Sequence, residues 1–228
     1  MSEDRFHDRV HAGRRLGARL RAAPPASLDA PREGPGPLVL GLPRGGVPVA
    51  AEVARALGLP LDALVVRKLG IPGHEEVAFG AIGRDVTVRD PDLLAMAGLS
   101  ADAIAAVEAR ERAELARREG LYRAGRPPLA LAGRTAILVD DGIATGATTR
   151  AACRVARAAG AARVVLAVPV APREWLGTAE AVDIVALIAP ERLVAVGLWY
   201  DAFPQTSDAE VLALLRAGAA GGTGTGAG

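Results

Sequence analysis

The apolar positions of this chain fall into short unbroken runs, separated by stretches with helical spacing. LVLGL (38–42), LDALVVRK (61–68), TAILVDD (135–141), ARVVLAVPVA (162–171) and AVDIVALIA (181–189) read as five buried strands. A strand covered on both faces needs no polar alternation. Phe6, Val10, Leu16 and Leu20 recur at roughly helical intervals and predict an amphipathic helix over 5–21. VPVAAEVARALG, after PRGG, reads as a helix stopped by Gly58. Ser100 can cap a long helix over 101–123, whose many Glu and Arg predict a solvated face with i,i+4 pairs. Further helices are predicted from about 149 to Gly160, over 173–180 and over 207–216, with a short strand at 85–89.

Alternating strands and helices predict an α/β fold with an open, mostly parallel twisted sheet and helices on both faces. Ligands of such sheets sit beyond the carboxyl ends of the strands. Three loops rich in chemistry fall there: after Leu42, after Lys68 and after Asp141. One domain over 1–217 is expected, with a linker-like loop at 22–37. Residues 69–83, with four glycines and a proline, read as a mobile loop or loose hairpin. The tail, 218–228, is low in complexity and expected to be disordered.

Composition narrows the function classes. A formal net charge of +1 gives no electrostatic reason to expect nucleic acid or an anionic membrane as partner. No apolar run approaches the roughly 18–20 residues of a membrane span, and the charged N-terminus lacks the apolar core of a secretory leader, so a cytoplasmic location is expected. A single cysteine, Cys153, excludes an internal disulfide and reads as packing. Lys68 is the only lysine among 27 basic residues. A lysine retained in so arginine-rich a chain suggests a place where a compact point charge is needed.

The segment AILVDDGIATGATTRAA (136–152) carries the strongest chemical signal. An apolar strand delivers Asp140 and Asp141 to its open end, and Gly142, Ala144, Thr145, Gly146, Ala147 and Thr148 lead into a helix, with Thr149 following. Backbone N–H groups at a helix start bind phosphate, and glycine lets a ligand come close. The two acids need hydroxyls or a cation beside them. A ligand with a phosphate and vicinal hydroxyls, such as ribose 5-phosphate, satisfies both. Neither a P-loop nor a dinucleotide-binding glycine pattern is present.

Residues 136–149 resemble the binding motif for 5-phosphoribosyl 1-pyrophosphate (PRPP) in type I phosphoribosyltransferases. That resemblance implies that Asp140 and Asp141 hold the ribose hydroxyls and that Ala144–Thr148 wrap the 5-phosphate. PRGG at 43–46 resembles the family's pyrophosphate loop, with Arg44, Gly45 and Gly46. Lys68, with Arg67 beside it, resembles the basic residue that contacts PRPP, and 69–83 the loop that closes over it. VGLWYDAF, within a hood segment at 193–206, resembles that of purine-salvage members. It implies Trp199 and Tyr200 as acceptor contacts, with Phe203 nearby, and Asp201 with Asp140 at a Mg²⁺ ion. FHDRVHAGRRLG, RKLGIPGHEEVAFGAIG and the long charged helix resemble a small bacterial subgroup, sometimes fused to hydrolase domains.

Implied is transfer of phosphoribose from PRPP, with Mg²⁺, to a nucleobase or other amine, pyrophosphate leaving. Lys68, Arg44, Asp140 and Asp141 are the catalytic candidates. Glu75 and Glu76 are candidate bases, whereas His74, His7 and His11 read as exposed. Ala144 departs from hypoxanthine-guanine enzymes, which carry an acid there, and matches adenine enzymes. A PRPP- or nucleotide-sensing regulator is the alternative on the same scaffold. A homodimer is common in the family.

Overall fold

The computed structural model describes residues 5–29, 35–123, 126–177 and 183–220. Its elements run α1 (Arg9–Ala22), α2 (Ala26–Asp29), β1 (Leu38–Gly41), α3 (Gly46–Leu57), β2 (Leu61–Ala63), β3 (Arg67–Ile71), β4 (His74–Gly83), β5 (Val86–Arg89), α4 (Pro91–Ala97), α5 (Ala101–Tyr122), β6 (Thr135–Val139), α6 (Ala147–Ala158), β7 (Arg163–Val170), β8 (Asp183–Ile188) and α7 (Asp208–Ala220). Asp8 caps α1, its carboxylate accepting from the His11 N–H at 2.7 Å. Ser100 caps α5 in the same way, at 3.2 Å from the Ala103 N–H.

Five strands form a wholly parallel sheet in the order β2-β1-β6-β7-β8. Successive side chains point to opposite faces. Val39, Ile137 and Val165 therefore pack on one side with Leu16, Val49 and Val53 of α1 and α3. Leu40, Leu138 and Leu166 pack on the other with Cys153, Ala152 and Trp175. Both faces are covered by helices, as the unbroken apolar runs require.

A second sheet, antiparallel and ordered β3-β4-β5, stands apart from the first. The run 61–68 is not one strand. The Leu64 N–H bonds back to the Gly41 carbonyl, and the chain then leaves the parallel sheet for the small one. Leu64 and Val65 are buried on either side of this exit, so hydrophobicity gives no sign of it. The segment 69–83 is the hairpin alternative of its reading: Lys68 pairs with Ala81, and the register shifts around Gly70. α4 was not foreseen, although Asp90 caps it with Pro91 at its first position, both ordinary start signals.

Other departures are local. Arg173–Gly177 is a single 3-10 turn. The linker-like 22–37 contains α2, held by Ser27 donating to Asp183. The last helix continues to Ala220, and Gly218 lies against Leu61, so 218–220 are helical rather than disordered. The remainder of the tail, 221–228, lies outside the described residues. Among the described residues no helix is long and apolar enough to cross a membrane.

Candidate active site

The open end of β6 presents Asp140 and Asp141, and the Asp141 N–H donates to Asp140 Oδ1 at 2.9 Å. The PRGG loop, whose Pro43–Arg44 peptide is cis, lies directly on this pair. A Cβ on Gly45 would run into Asp141 Oδ2, and one on Gly46 would lie 2.5 Å from the Val139 carbonyl oxygen. Two glycines are thus what lets the loop after β1 touch the acids after β6.

Beyond the acids, Gly146 turns the chain with φ +73°, and α6 begins at the next residue. A Cβ there would also strike the Trp175 ring. The Arg150 guanidinium lies 4.5 Å over that ring and donates to the Thr145 carbonyl at 3.0 Å, bracing the loop from outside. Ala144, Thr145 and Thr148 are exposed at the helix start, whereas Thr149 is buried.

Pro43, Lys68 and Thr148 line one cavity of about 330 Å³, so the three loops picked out from sequence converge. Gly70 and Glu75 of the β3–β4 hairpin and Arg110 and Arg118 of α5 close its sides. Glu111 of α5 takes the Arg67 guanidinium at 2.7 Å. Arg110 and Arg118 were hidden in sequence because the Glu/Arg pattern of α5 reads as a solvated surface. Arg44 points instead to the start of α7, 4.0 Å from Asp208, which also accepts from the Tyr122 hydroxyl at 2.5 Å. Burial and that acid push the Tyr122 hydroxyl up to about 12.

Arg9 is the residue sequence reasoning missed most plainly. It donates to Asp141 Oδ2 at 2.8 Å and to the Pro204 carbonyl at 2.6 Å, and lies 3.8 Å over the Phe203 ring. Its pairing joins α1, the ribose-type acids and the hood. The signal available was weak: one arginine among many on a charged helix.

The two carboxyls differ. Burial, and then the neighbouring Asp141 charge, hold the Asp140 carboxyl well above the ordinary range. Burial also raises Asp141, but the Arg9 charge and hydrogen bond oppose the rise.

The hood departs from its expected roles. Tyr200 is 2% exposed, its ring packed between Phe6 and Phe203, and its hydroxyl donates to the Asp141 carbonyl at 2.6 Å. Its ring is closed to a base. The reason is the β-bridge between Phe6 and Tyr200, which straps the N-terminal segment over the hood. Trp199 is partly buried against the same cluster. Asp201 is exposed and faces Arg5 at 3.4 Å. Leu198 and Val194, which sequence reasoning passed over, are the exposed apolar side chains of this segment. Among the described residues no group of three or more His, Cys, Asp or Glu could by itself hold a metal ion.

Of the candidate bases, exposed Glu75 is held below the ordinary carboxylate range by its own backbone N–H and that of Gly73. The Glu76 side chain lies outside what is described. His11 accepts from the His7 N–H at 3.0 Å and belongs to the start of α1.

A family model for the phosphoribosyl transferase domain matches residues 30–198. The chain belongs to that family. A Mycobacterium tuberculosis protein named "Putative phosphoribosyl transferase Rv0571c" is 51% identical over 215 residues, 92% of this chain and 46% of its own length. The chain thus spans about half the length of the curated relatives it matches. The crystal structure of TT1426 from Thermus thermophilus superposes with a TM-score of 0.82 at 43% identity, covering 94% of this chain and 99% of that one. The phosphoribosyl transferase domain described here and that protein therefore share a fold over nearly their whole lengths.

Proposed function

We propose that this phosphoribosyl transferase domain moves the 5-phosphoribosyl group from PRPP to a nitrogen of an acceptor, releasing pyrophosphate. The observation that carries the reading is the cavity lined at once by Pro43, Lys68 and Thr148, at the sheet end where Asp140 and Asp141 stand. The cavity and the loops beside it suit the parts of PRPP in turn. Backbone N–H groups from Ala144 to Thr148, with the α6 dipole behind them, take the 5-phosphate. Asp141, fixed by Arg9, takes ribose hydroxyls. Lys68, with Arg110 and Arg118 on the same cavity wall, meets the pyrophosphate, whose charge grows as its bond to the anomeric carbon breaks, and Arg44 would join them by turning from Asp208.

The chain's donor set fits Mg²⁺ arriving with pyrophosphate, not Mg²⁺ in a cage of its own. Such an ion takes one or two protein carboxylates and fills its shell with phosphate and water oxygens. Asp140 is the carboxylate in position to serve it, since Arg9 is spent on Asp141. Asp140 would hold such an ion where it could neutralise leaving-group charge. Asp201 is left out of that set. The β3–β4 hairpin borders the cavity through Gly70 and Glu75, and by closing over bound PRPP it would exclude water and limit hydrolysis. With Tyr200 closed off, the acceptor meets Trp199 and Leu198. Ala144 offers no acid to a purine nitrogen, which disfavours hypoxanthine and guanine.

The test is pyrophosphate release from PRPP and Mg²⁺ across nucleobases and simple amines, beside an Asp140→Ala/Asp141→Ala protein. Acceptor-dependent release that the double variant lacks is the expected result. Tight PRPP binding without release would replace the transferase with a sensor. Neither binding nor release would end the PRPP reading.

A further inference from the structure

A second cavity, of about 640 Å³, lies across α5 from Lys68. At 3.6 residues per turn, the α5 residues lining the two cavities stand roughly 150° apart around the helix. Arg110, Glu111 and Arg118 face the first. Arg112, Ala116, Glu119 and Gly120 face the second.

The second cavity has a cationic wall and a small apolar floor. Arg84, Arg112, Arg123 and Arg126 line it, and among the described residues Glu119 is the one acid that does. Arg123 and Arg126 both lean on Asp62 beneath, at 2.9 and 3.0 Å. Asp62 and Glu119 answer these guanidinium groups directly, with Glu108 close to Arg112 and Asp85 close to Glu119. Arg126 Nη1 is buried, and its approach to Asp62 lacks hydrogen-bond geometry. Glu119 lies 3.6 Å from Arg84, and burial raises its carboxyl above the ordinary range.

Leu115, Ala116, Gly120 and Pro128 supply the apolar part of the lining. Glycine is a poor choice inside a helix. Gly120 has no positive φ that would make it a cap, and a Cβ there would meet nothing within 4 Å. No neighbour among the described residues demands a glycine at 120, yet any larger side chain would take up cavity space.

We propose that this cavity is a binding site for a phosphorylated small molecule with a compact, weakly polar body. Its phosphate meets Arg84 and Arg112, and its body lies on Ala116, Gly120 and Pro128. The volume is in the range of small-molecule sites. Paired guanidinium groups suit a phosphate dianion. Occupancy also bears on the small sheet. Arg84 lies in the turn between β4 and β5, and Arg112 on α5 donates to Thr87 of β5. A phosphate shared by Arg84 and Arg112 adds one more bridge between α5 and the small sheet that carries Lys68, beside the Arg67–Glu111 and Arg89–Glu108 pairs that already join them.

The proposal does not depend on the transferase reading. Its test uses adenosine 5′-monophosphate as probe, with adenosine and inorganic phosphate as separate arms, titrated calorimetrically. The background protein carries Asp140→Ala and Asp141→Ala, which strips the first cavity of its ribose contacts, so that dependence on the second-cavity residues identifies where the probe sits. In this background Gly120→Leu fills the second cavity without changing any charge, and Arg84→Ser/Arg112→Ser removes charge without filling it. The expected result is a monophosphate isotherm in the background protein that weakens about tenfold or more in each variant, the size of one lost charge-assisted hydrogen bond or greater. The melting temperature of the Gly120→Leu protein should be unchanged or raised. Weaker binding of both adenosine and phosphate alone would show that body and anion are read together. Absence of binding in the background protein, or binding indifferent to both variants, would overturn the site.

Discussion

Asp140 and Asp141 are the same residue twice, set in unequal surroundings. Arg9 compensates the second directly, while the first has a backbone hydrogen bond and a more distant pull from Arg9 against its burial. A carboxyl raised in the fold above its unfolded value stabilises fully only below the unfolded range, and that contribution is lost as pH climbs through the folded value. The ligand-free protein should therefore lose stability as pH rises from the ordinary carboxylate range. Asp140→Asn should melt higher than the parent at pH 7.5 and nearly level with it at pH 4, in thermal scans, while losing PRPP turnover. Arg9→Met should have the opposite effect. It leaves Asp141 without its cation in a site where Arg9 and Asp141 are only 12% and 16% exposed, at a cost of about 3 kcal/mol in urea unfolding. Arg9→Met/Asp141→Asn should recover most of that loss. The acids were legible because two adjacent carboxylates at the end of an apolar run have few structural uses. Arg9 was not, because its partner lies 132 residues away and nothing local marks it.

At the scale of elements, the phosphate loop depends on a glycine for two separate reasons. Gly146 holds φ +73°, and its missing side chain leaves room for Trp175. A left-handed backbone costs about 1–2 kcal/mol for any other ordinary residue, before the overlap with the ring is counted. Gly146→Ala should therefore lose about 2 kcal/mol or more in urea unfolding, and Trp175→Leu in the same chain should relieve only the overlap. The loop itself was readable, since strand, acids, glycine and threonines follow one another in sequence. The brace was not: Trp175 and Arg150 reach it from two other elements. The same limit explains the run 61–68. Its residues are apolar on both sides of the point where the chain changes sheets, so periodicity registers burial and misses the change of partner. α5 is the solvent-facing helix its Glu/Arg pattern predicts, with the i,i+4 pair Glu114–Arg118, but that pattern does not show which of its charges also line cavities.

For the whole molecule, short apolar runs alternating with helices were enough to give a parallel sheet covered on both sides. They also placed all three loops at one end of it. What they could not give is how the chain closes on itself. Phe6 pairs with Tyr200, Arg5 reaches the Tyr200 carbonyl and Arg9 reaches Pro204. The hood is thus half N-terminal in origin, which is why Tyr200 is packing rather than a platform for a base. This closure also orders events in time. Contacts between distant parts of a chain form late, because the loop they close must be drawn together first. While the protein is being made, the parallel sheet can gather strand by strand, but the N-terminal segment has no hood to grip until position 204 has emerged. The cation that completes the acid pair is therefore made well before the acids it joins and takes up its place only once the hood has followed them.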